Sequence, residues 1–499
     1  MKNIDKKVFF PALAVVLSIV VILYRYPEES NAIINVLFSF CTGKMGFLYI
    51  LTCLASFAFL IWLSCSKYAG IKLGAPEEQP QFSNFSWVSM LFTAGVGTSI
   101  IILGFLEPIY YVSSPPFYLE PFSRDAYEYA HMYGQFHWGF SAWAFYNPAI
   151  IAMAYLMFVK GEKRLCLSSA CEPVLGRHAR GIWGKLIDIF IVFGIVGSIS
   201  TSLGLGTPVL GRALSHVFSI PEQYQGVVEV AILLIWMCIF GASVFLGLEK
   251  GIKNLSNLNV VIALAFMVLI LLVGPTINIL EMEINSIGLY LQNFVRLNTW
   301  MDPFGTDTFV EDWTIFYWGW WVSFMPMMGM FVARISRGRT IRNVIWGQML
   351  WGTLGCAVSF AIFGGYSLYL QKSGIVDVAA ILSEQGQSAA ILAILQTLPM
   401  SKFVIFAASI LCFIYLATTI DSCAFVVAGT TTKTLSGAEE PARWNRMLWA
   451  AVFCALSIGL MLIGGLRAVQ TVSIVAGLPL ILVMFLLMVS VYKMLHASK

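Results

Sequence analysis

Residues 313–342 read WTIFYWGWWVSFMPMMGMFVARISRGRTIR, a long apolar run that is rich in aromatic residues and ends in a cluster of arginines. The apolar part is long enough to cross a bilayer as a helix. Its aromatic content exceeds what anchoring requires, because aromatic belts lie at the membrane interfaces, whereas Trp320 and Trp321 lie about a turn and a half before Pro326. Pro326 and Gly329 predict a helix that is interrupted near mid-membrane, where irregular backbone must face protein or a water-filled cavity. We interpret the tryptophans as rings that face a cation.

The composition of the whole chain excludes most other classes of protein. Of its 499 residues, 59% are hydrophobic and 11% are charged, and the mean hydropathy is +0.81, which indicates a polytopic membrane protein. The net charge of +4 predicts no nucleic-acid partner, because the basic residues are scattered between apolar segments. The 10 cysteines lie mostly in apolar segments, and the loop pair Cys166 and Cys171 lacks metal-site spacing, so no metal or other cofactor is expected.

Hydropathy predicts an all-α polytopic membrane protein with twelve transmembrane helices, the first of which lacks a cleavage site and is not read as a signal peptide. The predicted spans are 8–24, 46–66, 87–112, 134–159, 188–214, 226–248, 258–280, 312–333, 344–370, 402–431, 447–465 and 471–492. With both termini on one side, 22 of the 30 Lys and Arg residues fall on that side, which is therefore expected to be cytoplasmic. Outside the spans, 282–297 is predicted to be an amphipathic surface helix and 374–400 a partly helical outer segment.

Two spans carry helix breakers near their middles, and they are five spans apart. One contains Gly95-Val96-Gly97-Thr98-Ser99, and the other contains Pro326 and Gly329. This placement predicts two five-helix inverted repeats whose first helices are broken at a central site. The alternative for the glycines is close helix packing. The predicted organisation is a short tail and two peripheral helices in 1–86, a first repeat in 87–281, an amphipathic segment in 282–311, and a second repeat with a short tail in 312–499.

The fourth predicted span supplies a second group of rings. At about 100° per residue, Trp143 and Tyr146 fall within about 140° and 80° of Trp138 around the helix, so the three can line one cleft. With Trp320 or Trp321 they would form a box of π-faces. Such a box suits a quaternary ammonium group, which has no N–H to donate and is attracted to ring quadrupoles. The alternative is an aromatic packing cluster, and spacing alone does not separate the two.

Hydroxyls in the tenth predicted span are candidate ligands for Na⁺. Thr418 and Thr419 are adjacent, and the carboxylate of Asp421 follows within an apolar segment. Hydroxyls and freed backbone carbonyls are hard oxygen ligands, and an intramembrane carboxylate is a functional candidate by default. The alternative is that both hydroxyls bond to carbonyls of their own helix.

Other polar residues have simpler interpretations. Ser198 and Ser202 precede a glycine-rich stretch and are expected to be packing hydroxyls. Glu107 is expected to have a local role at a helix end, and His137 to be a hydrogen-bonded structural residue. The basic run at 333–342 is expected to orient the chain and to bind helix-end carbonyls or acidic membrane lipids.

Three motifs together resemble one known family. FYWGWW with ARISRGRTIR in 316–342, HW-x4-W-x2-Y in 137–146 and EPIYYVSSPP in 107–116 are similar to the betaine/carnitine/choline transporter family. The resemblance covers nearly the whole chain. It implies a fold like that of the sodium-coupled amino-acid transporters, with two peripheral helices before two five-helix inverted repeats. It also implies a homotrimer whose contacts involve the amphipathic helix before the eighth span.

The resemblance also assigns roles to individual positions. It implies a substrate site formed by Trp138, Trp143, Tyr146 and Trp321 and lined further by Trp320 and Tyr110, with an access pathway that contains Trp318 and Phe324. It implies a Na⁺ site formed by Thr93, Val96, Tyr415, Thr418 and Thr419. It also implies a second ion or substrate position at Ser198, Ser202 and Met328. Phe324 departs from a tryptophan that is common in betaine-type members.

The family contains Na⁺-coupled importers and a Na⁺-independent carnitine exchanger, and this sequence has features that resemble each of the two. Residues 107–121 and Met328 resemble the exchanger, in which a methionine occupies one ion position. Thr418 and Thr419 keep the hydroxyl pair of the Na⁺-coupled members, and Asn259 stands where the exchanger has an arginine that replaces sodium. The balance favours Na⁺ coupling.

Two further departures from the patterns of family members limit the substrates and the regulation that we expect. Ser99 stands where choline-type members carry an aspartate, which argues against choline. The long basic C-terminal tail of the osmosensing members is not seen, so no osmotic activation is expected.

The leading hypothesis is a secondary active transporter of a zwitterionic quaternary ammonium compound, of the carnitine or glycine betaine class. It would work by alternating access, as a Na⁺ symporter, in a bacterial-type inner membrane. The alternatives are a Na⁺-independent exchanger of carnitine type, or a carrier of a related sulfonium or of a sulfonate such as taurine. A channel or a membrane sensor fits the broken helices less well. An enzyme is not expected, because no metal cluster, nucleophile motif or paired carboxylates are present in the sequence.

Overall fold

The computed structural model describes residues 3–162, 164, 166–246, 248–433, 440–463 and 466–497. Lys2, Lys163 and Lys499, which contribute to the predicted charge asymmetry, lie outside them. Within the described residues the regular structure is helical, and the only β-type pairings are two isolated bridges, Ile4 with Thr432 and Lys72 with Thr340. The all-α prediction is confirmed.

Among the described residues there are 21 α-helices, and fourteen of them lie before residue 300. They are α1 (Lys6–Arg25), α2 (Pro27–Ser39), α3 (Gly46–Cys65), α4 (Asn84–Val96), α5 (Ser99–Ser113), α6 (Arg124–His137), α7 (Phe140–Ala144), α8 (Asn147–Phe158), α9 (Leu167–Ala170), α10 (Glu172–Leu175), α11 (Ile182–Val217), α12 (Gln225–Leu246), α13 (Leu248–Val273) and α14 (Thr276–Thr299).

The second half contains seven more helices, and a π-helical turn at Val310–Thr314 leads into the first of them. They are α15 (Ile315–Ile335), α16 (Ile341–Ser373), α17 (Val378–Gln385), α18 (Gln387–Gln396), α19 (Ser401–Thr430), α20 (Arg443–Ile463) and α21 (Leu466–His496).

The predicted number of membrane spans agrees with the helices. Among the described residues, 11 helices are long and apolar enough to cross a membrane, and the bent pair α4–α5 brings the number to 12. The predicted span 258–280 is too long at its end, because Gly274 and Pro275 separate α13 from α14. The amphipathic helix α14 contains the predicted segment 282–297, and α17 and α18 lie within the predicted outer segment 374–400.

Burial divides the helices into a centre and a periphery. The most apolar window of α15 with its preceding turn is entirely buried, whereas the corresponding windows of α12 and α13 are 22% and 33% buried. A helix that is apolar on all sides and largely exposed in a membrane protein faces lipid. The aromatic helix α15 therefore lies at the centre of the protein, where it packs against α8, α11 and α21.

The expected interruption of the eighth span at Pro326 is wrong. The helix α15 continues from Ile315 to Ile335 with Pro326 inside it. A proline removes one backbone hydrogen bond, but neighbouring helices in a membrane protein can hold such a helix together. Gly329 is a packing residue, because a Cβ there would lie 2.5 Å from the Cβ of Ala149 on α8. The alternative of close helix packing is thus correct for this glycine.

Candidate functional site

A cavity lies at the centre of the helix bundle, against the aromatic face of α15. The space in it that is not occupied by atoms, including the part open toward solvent, is about 330 Å³. Its lining residues are Gly95, Val96, Gly97, Trp138, Tyr146, Ser202, Trp320, Trp321, Phe324 and Thr419. These residues come from five different parts of the chain.

One wall of the cavity is the break between α4 and α5, as the glycine stretch predicts. The two helices are bent by 58° at Gly97, whose φ of 55° is in the left-handed region that favours glycine. The hydroxyl of Thr98 donates to the backbone oxygen of Cys412 on α19, at 3.1 Å. The backbone N–H groups of Ile101 and Ile102 donate to the backbone oxygen of Thr98, and α5 begins next to this wall with the partial positive charge of a helix N-terminus.

The opposite wall comes from the fourth span, which is interrupted twice. The helix α6 ends at His137, and short α7 is followed by α8 from Asn147. Trp138 and Tyr146 lie at these two interruptions. At the first one, a Cβ on Gly139 would lie 2.5 Å from the backbone oxygen of Gln135, so glycine is required there. The sequence contains this glycine, but the prediction of one continuous helix over 134–159 does not include the interruption.

The aromatic rings of the two segments converge, as the spacing predicts. The ring centroid of Trp321 lies 5.0 Å from that of Tyr146, 5.5 Å from Trp143 and 5.6 Å from Trp138. The rings of Trp138 and Trp320 are 6.0 Å apart and nearly perpendicular. These are distances between packed rings. A cation would therefore lie against the cluster, on the side of the glycine break, rather than between the rings.

Tyr110, expected in the substrate site, and Trp318, expected on the access pathway, do not line the cavity. The hydroxyl of Tyr110 accepts a hydrogen bond from Gln387 on α18, and its ring contacts Trp313. Trp318, expected on the access pathway, packs between Phe136 and Phe145, with centroids 5.4 Å away in both cases. Both point away from the cavity because they lie on other faces of their helices.

Trp143 lies behind the cavity wall rather than on it. Its ring stacks on Phe92 and contacts Tyr146 at 5.8 Å. A Cβ on Gly352 would lie 2.3 Å from this ring, so the glycine leaves the space that the indole occupies. The structure therefore gives Trp143 a supporting position beside Tyr146 and Trp321.

Glu107 does not have the local helix-end role that we expected. It lies in the middle of α5 and is completely buried. Its carboxylate accepts hydrogen bonds from the indole N–H of Trp138 at 2.8 Å, from the hydroxyl of Tyr111 at 2.9 Å, and from the hydroxyl of Tyr317. The carboxylate thus joins the fourth span to α15 directly behind the cavity. The sequence does contain a signal for this role, since Glu107 follows an apolar run and a carboxylate within a membrane span is a functional candidate.

His137 extends this network, as expected of a hydrogen-bonded residue. Its Nδ1 lies 2.9 Å from the hydroxyl of Tyr111, and its Nε2 lies 3.0 Å from the hydroxyl of Thr314. Its backbone oxygen accepts a hydrogen bond from the indole N–H of Trp321 at 3.1 Å. The orientations of both Trp138 and Trp321 are therefore fixed by hydrogen bonds on the edge away from the cavity.

Of the expected Na⁺ ligands, Val96 and Thr419 line the cavity, and the hydroxyls of Thr418 and Thr419 bond within their own helix. Thr418 and Thr419 donate to the backbone oxygen of Tyr415, at 2.8 and 3.0 Å, so the alternative of bonding within the helix is observed. Such bonds use the hydroxyl hydrogens and leave oxygen lone pairs for an ion. Val96 and Thr419 both line the cavity. The hydroxyl of Thr93 contacts the backbone oxygen of Ser89 and the hydroxyl of Ser256, at 2.8 and 2.9 Å.

The residues of the second expected position are dispersed around the same cavity. Ser202 lines it, whereas Ser198 forms a 2.5 Å hydrogen bond with Ser323 on α15. The terminal methyl of Met328 would lie 3.0 Å from a Cβ on Gly95, so this methionine packs against the glycine stretch. Both serines lie on α11.

Asp421, the intramembrane carboxylate that follows the threonine pair, has a charged partner. It accepts a 2.6 Å hydrogen bond from Arg446, whose side chain is completely buried. Burial of a charge requires such pairing. The carboxylate is therefore held by α20.

The basic run binds backbone and amide oxygens, which is one of its two expected roles. Arg339 donates to Asn84 and to the backbone oxygen of Phe82, and Arg342 donates to the backbone oxygen of Ser64. These contacts connect the end of α15 to the ends of α3 and α4.

Comparison with known proteins assigns the chain to a family. The family model described as BCCT, betaine/carnitine/choline family transporter, matches residues 7–499. The chain is also similar to the uncharacterized transporter YeaV of Escherichia coli (strain K12), with 34% identity over 432 residues, which is 86% of this chain and 89% of that protein. The helices, the central cavity and these similarities agree, and the chain is a multi-pass membrane protein that belongs to the betaine/carnitine/choline transporter family.

Proposed function

We propose that the protein is a secondary active transporter of a zwitterionic quaternary ammonium compound, of the carnitine or glycine betaine class. The observation that carries this proposal is the convergence of Trp138, Tyr146, Trp320 and Trp321 on one cavity beside the glycine break. A broken helix at a central cavity is typical of carriers that work by alternating access.

The cavity lining favours a cation that cannot donate hydrogen bonds. Of its ten lining residues, none carries a charged side chain, and five are aromatic. A desolvated ring contributes up to about 2 kcal/mol to binding a cation over its face, so three or four rings can hold a trimethylammonium group. The first N–H groups of α5, beyond Gly97, would bind the carboxylate of the same substrate. A zwitterion thus matches the two opposite walls.

We propose Na⁺ as the coupling ion, held by Thr93, Val96, Tyr415, Thr418 and Thr419. The support for this is that Val96 and Thr419 line the substrate cavity, so an ion there would influence the same wall. Coupling requires that ion and substrate each favour the same conformation.

A second candidate is a Na⁺-independent exchanger of carnitine type. The observation in its favour is Met328, which packs on Gly95 at the edge of the cavity, where a thioether offers no hard oxygen ligand. The same cavity would accept a sulfonium, whose headgroup is also a cation without N–H groups. A sulfonate such as taurine fits it less well, because its primary ammonium is a charged hydrogen-bond donor and the lining offers no carboxylate to pair with it.

We also propose a homotrimer in a bacterial-type inner membrane with both termini cytoplasmic. A row of apolar side chains on α14 is exposed, at Ile277, Ile284, Leu291 and Val295, each more than 60% exposed. Such a face must be covered by lipid or by another subunit. Crosslinking through cysteines introduced on this face would give trimers if subunits cover it.

Uptake into liposomes tests the transport proposal. Vesicles containing the purified protein are given labelled carnitine, glycine betaine or taurine, with an inward Na⁺ gradient or with unlabelled substrate inside. Na⁺-driven accumulation of a quaternary ammonium compound supports symport, and uptake only into preloaded vesicles supports exchange. Uptake of taurine without either quaternary ammonium compound would overturn the proposed substrate class.

A further inference from the structure

The candidate substrate site has aromatic rings but no charged group in its lining. Glu107 does not line the cavity, yet its carboxylate accepts a 2.8 Å hydrogen bond from the indole N–H of Trp138, which does line it. The carboxylate therefore lies one residue behind the lining. A negative charge there attracts a cation on the ring face and polarises the indole through its N–H.

Among the residues that the structure describes, no positively charged side chain pairs with Glu107. Its three hydrogen-bond donors, Trp138, Tyr111 and Tyr317, are neutral groups, and none of the described Lys and Arg residues forms an ion pair with it. In a buried site an interaction between charges is screened little by salt or water. The cationic headgroup of a substrate is therefore the positive charge that this carboxylate lacks.

The titratable groups around Glu107 are Tyr111 on its own helix, His137 on α6, Tyr317 on α15 and Cys356 on α16. The helices α11, α17 and α18 also contact α5, and their described residues bring no charged partner to Glu107. Protonation of Glu107 would thus remove the negative charge that contacts Trp138 behind the aromatic cluster.

We propose that Glu107 is the counter-charge of the substrate site and the positioning residue of Trp138, so that a cationic substrate and a proton on Glu107 oppose each other. This inference rests on the proposed function. When Glu107 is ionised, it strengthens the binding of a cation; when it is protonated, the attraction is lost and the hydrogen bond to Trp138 weakens. By linkage, each ligand weakens the other by the same factor.

The test measures the affinity of the purified full-length protein for two ligands of the same shape across a range of pH. One ligand is glycine betaine, and the other is 3,3-dimethylbutanoate, in which a carbon replaces the quaternary nitrogen. Glycine betaine keeps its own charges over this range. The acidic limit is kept above about pH 6, so that the carboxylate of 3,3-dimethylbutanoate also stays ionised. The wild type is expected to bind glycine betaine about tenfold more weakly at the acidic than at the alkaline limit, and to bind 3,3-dimethylbutanoate, which has no positive charge, with no loss of affinity at the acidic limit.

Two variants locate the effect. Glu107→Gln keeps the size of the side chain and removes the charge, so it should show the weaker affinity at every pH with no slope. Tyr317→Phe removes one hydrogen bond but leaves the charge, so the slope should remain. Neither result follows from a merely structural role, since lost packing would weaken both ligands equally and leave the wild-type slope in place.

The outcomes separate this inference from the proposed function. The inference is overturned if Glu107→Gln binds glycine betaine with the affinity and the pH dependence of the wild type. It is also overturned if this variant loses affinity equally for both ligands. If Glu107→Gln does not fold, the wild-type measurements decide alone: equal pH dependence for both ligands overturns the inference. Failure of the wild type to bind glycine betaine or carnitine at all overturns the proposed function, and this inference with it.

Discussion

Removal of one indole from the aromatic cluster should weaken substrate binding more than tenfold. The substitution is Trp321→Ala, because the ring of Trp321 lies within 5.6 Å of three other rings and lines the cavity. One desolvated ring contributes up to about 2 kcal/mol to cation binding, and 1.4 kcal/mol is a factor of about ten. The full loss of one face therefore corresponds to a factor of about thirty.

Trp318→Ala is the matched control, since it is on the same helix. Trp318 and Trp321 are 0% and 4% exposed, so truncation of either should cost about 3–5 kcal/mol of packing. Only Trp321 faces the cavity. Thermal unfolding of the purified variants measures the shared loss of stability, and calorimetric titration with glycine betaine or carnitine measures the difference in affinity.

Two results would refute the reasoning. Unchanged affinity in folded Trp321→Ala would show that the ring takes no part in binding. An equal loss of affinity in both variants would show that general loosening of α15, rather than a missing π-face, weakens the substrate. A third variant, Trp321→Phe, keeps an aromatic face and loses only the hydrogen bond to His137, so most of the affinity should remain.

Three other predictions concern the ion site, the helix break and the surface helix. Thr418→Ala combined with Thr419→Ala should abolish any stimulation of uptake by Na⁺, measured against K⁺, because both hydroxyl ligands are gone. Gly97→Ala should destabilise the protein by about 1–2 kcal/mol and reduce transport, since its φ is +55° and a Cβ would lie 3.2 Å from the Thr419 hydroxyl. Burial raises the pKa of Glu283 from 4.5 to about 7, although the hydrogen bond from Gln135 acts in the opposite direction and lowers this pKa. Because a raised carboxyl pKa disfavours the folded state once the group ionises, thermal stability should fall as the pH rises from about 4.5 to about 7, and Glu283→Gln should lose this dependence.

Controls for these predictions are available in the same chain. Gly288 lies in α14 and a Cβ there meets nothing within 4 Å, so Gly288→Ala should be neutral or slightly stabilising. An equal effect of the two glycine substitutions would contradict the argument from φ. For Glu283, a thermal stability of the wild type that rises with pH would contradict the predicted direction of the change. For the ion site, stimulation of uptake by Na⁺ that survives in the double threonine variant would show that these hydroxyls do not bind the ion.

The aromatic content of the site is predictable from the sequence, because the two ring-rich segments are contiguous and lie in apolar spans. The 3.6-residue period places Trp320 and Trp321 on the continuous helix α15, but it does not place Trp138 and Tyr146, which lie where the fourth span is interrupted. The glycine break at Gly97 is predictable for the same reason, since a stretch of small residues is a local signal of irregular backbone.

The rest of the site depends on contacts between distant segments. Glu107 receives hydrogen bonds from Trp138 and Tyr317, which are 31 and 210 residues away in the chain, and no local pattern encodes that meeting. The same limit explains the error at Pro326. A proline predicts a break from its own chemistry, but the neighbours that hold α15 continuous are supplied by other helices.

The sequence alone determines that this protein is a polytopic bundle of membrane helices with an aromatic motif in its eighth span, because hydropathy and helical period are properties of contiguous segments. It also carries the motifs of a transporter family. Only the tertiary structure decides which rings face a common cavity, which carboxylate lies behind them and which tryptophans merely pack. Those relations depend on how separate helices are rotated and brought into contact, and that rotation is fixed by packing across the whole bundle.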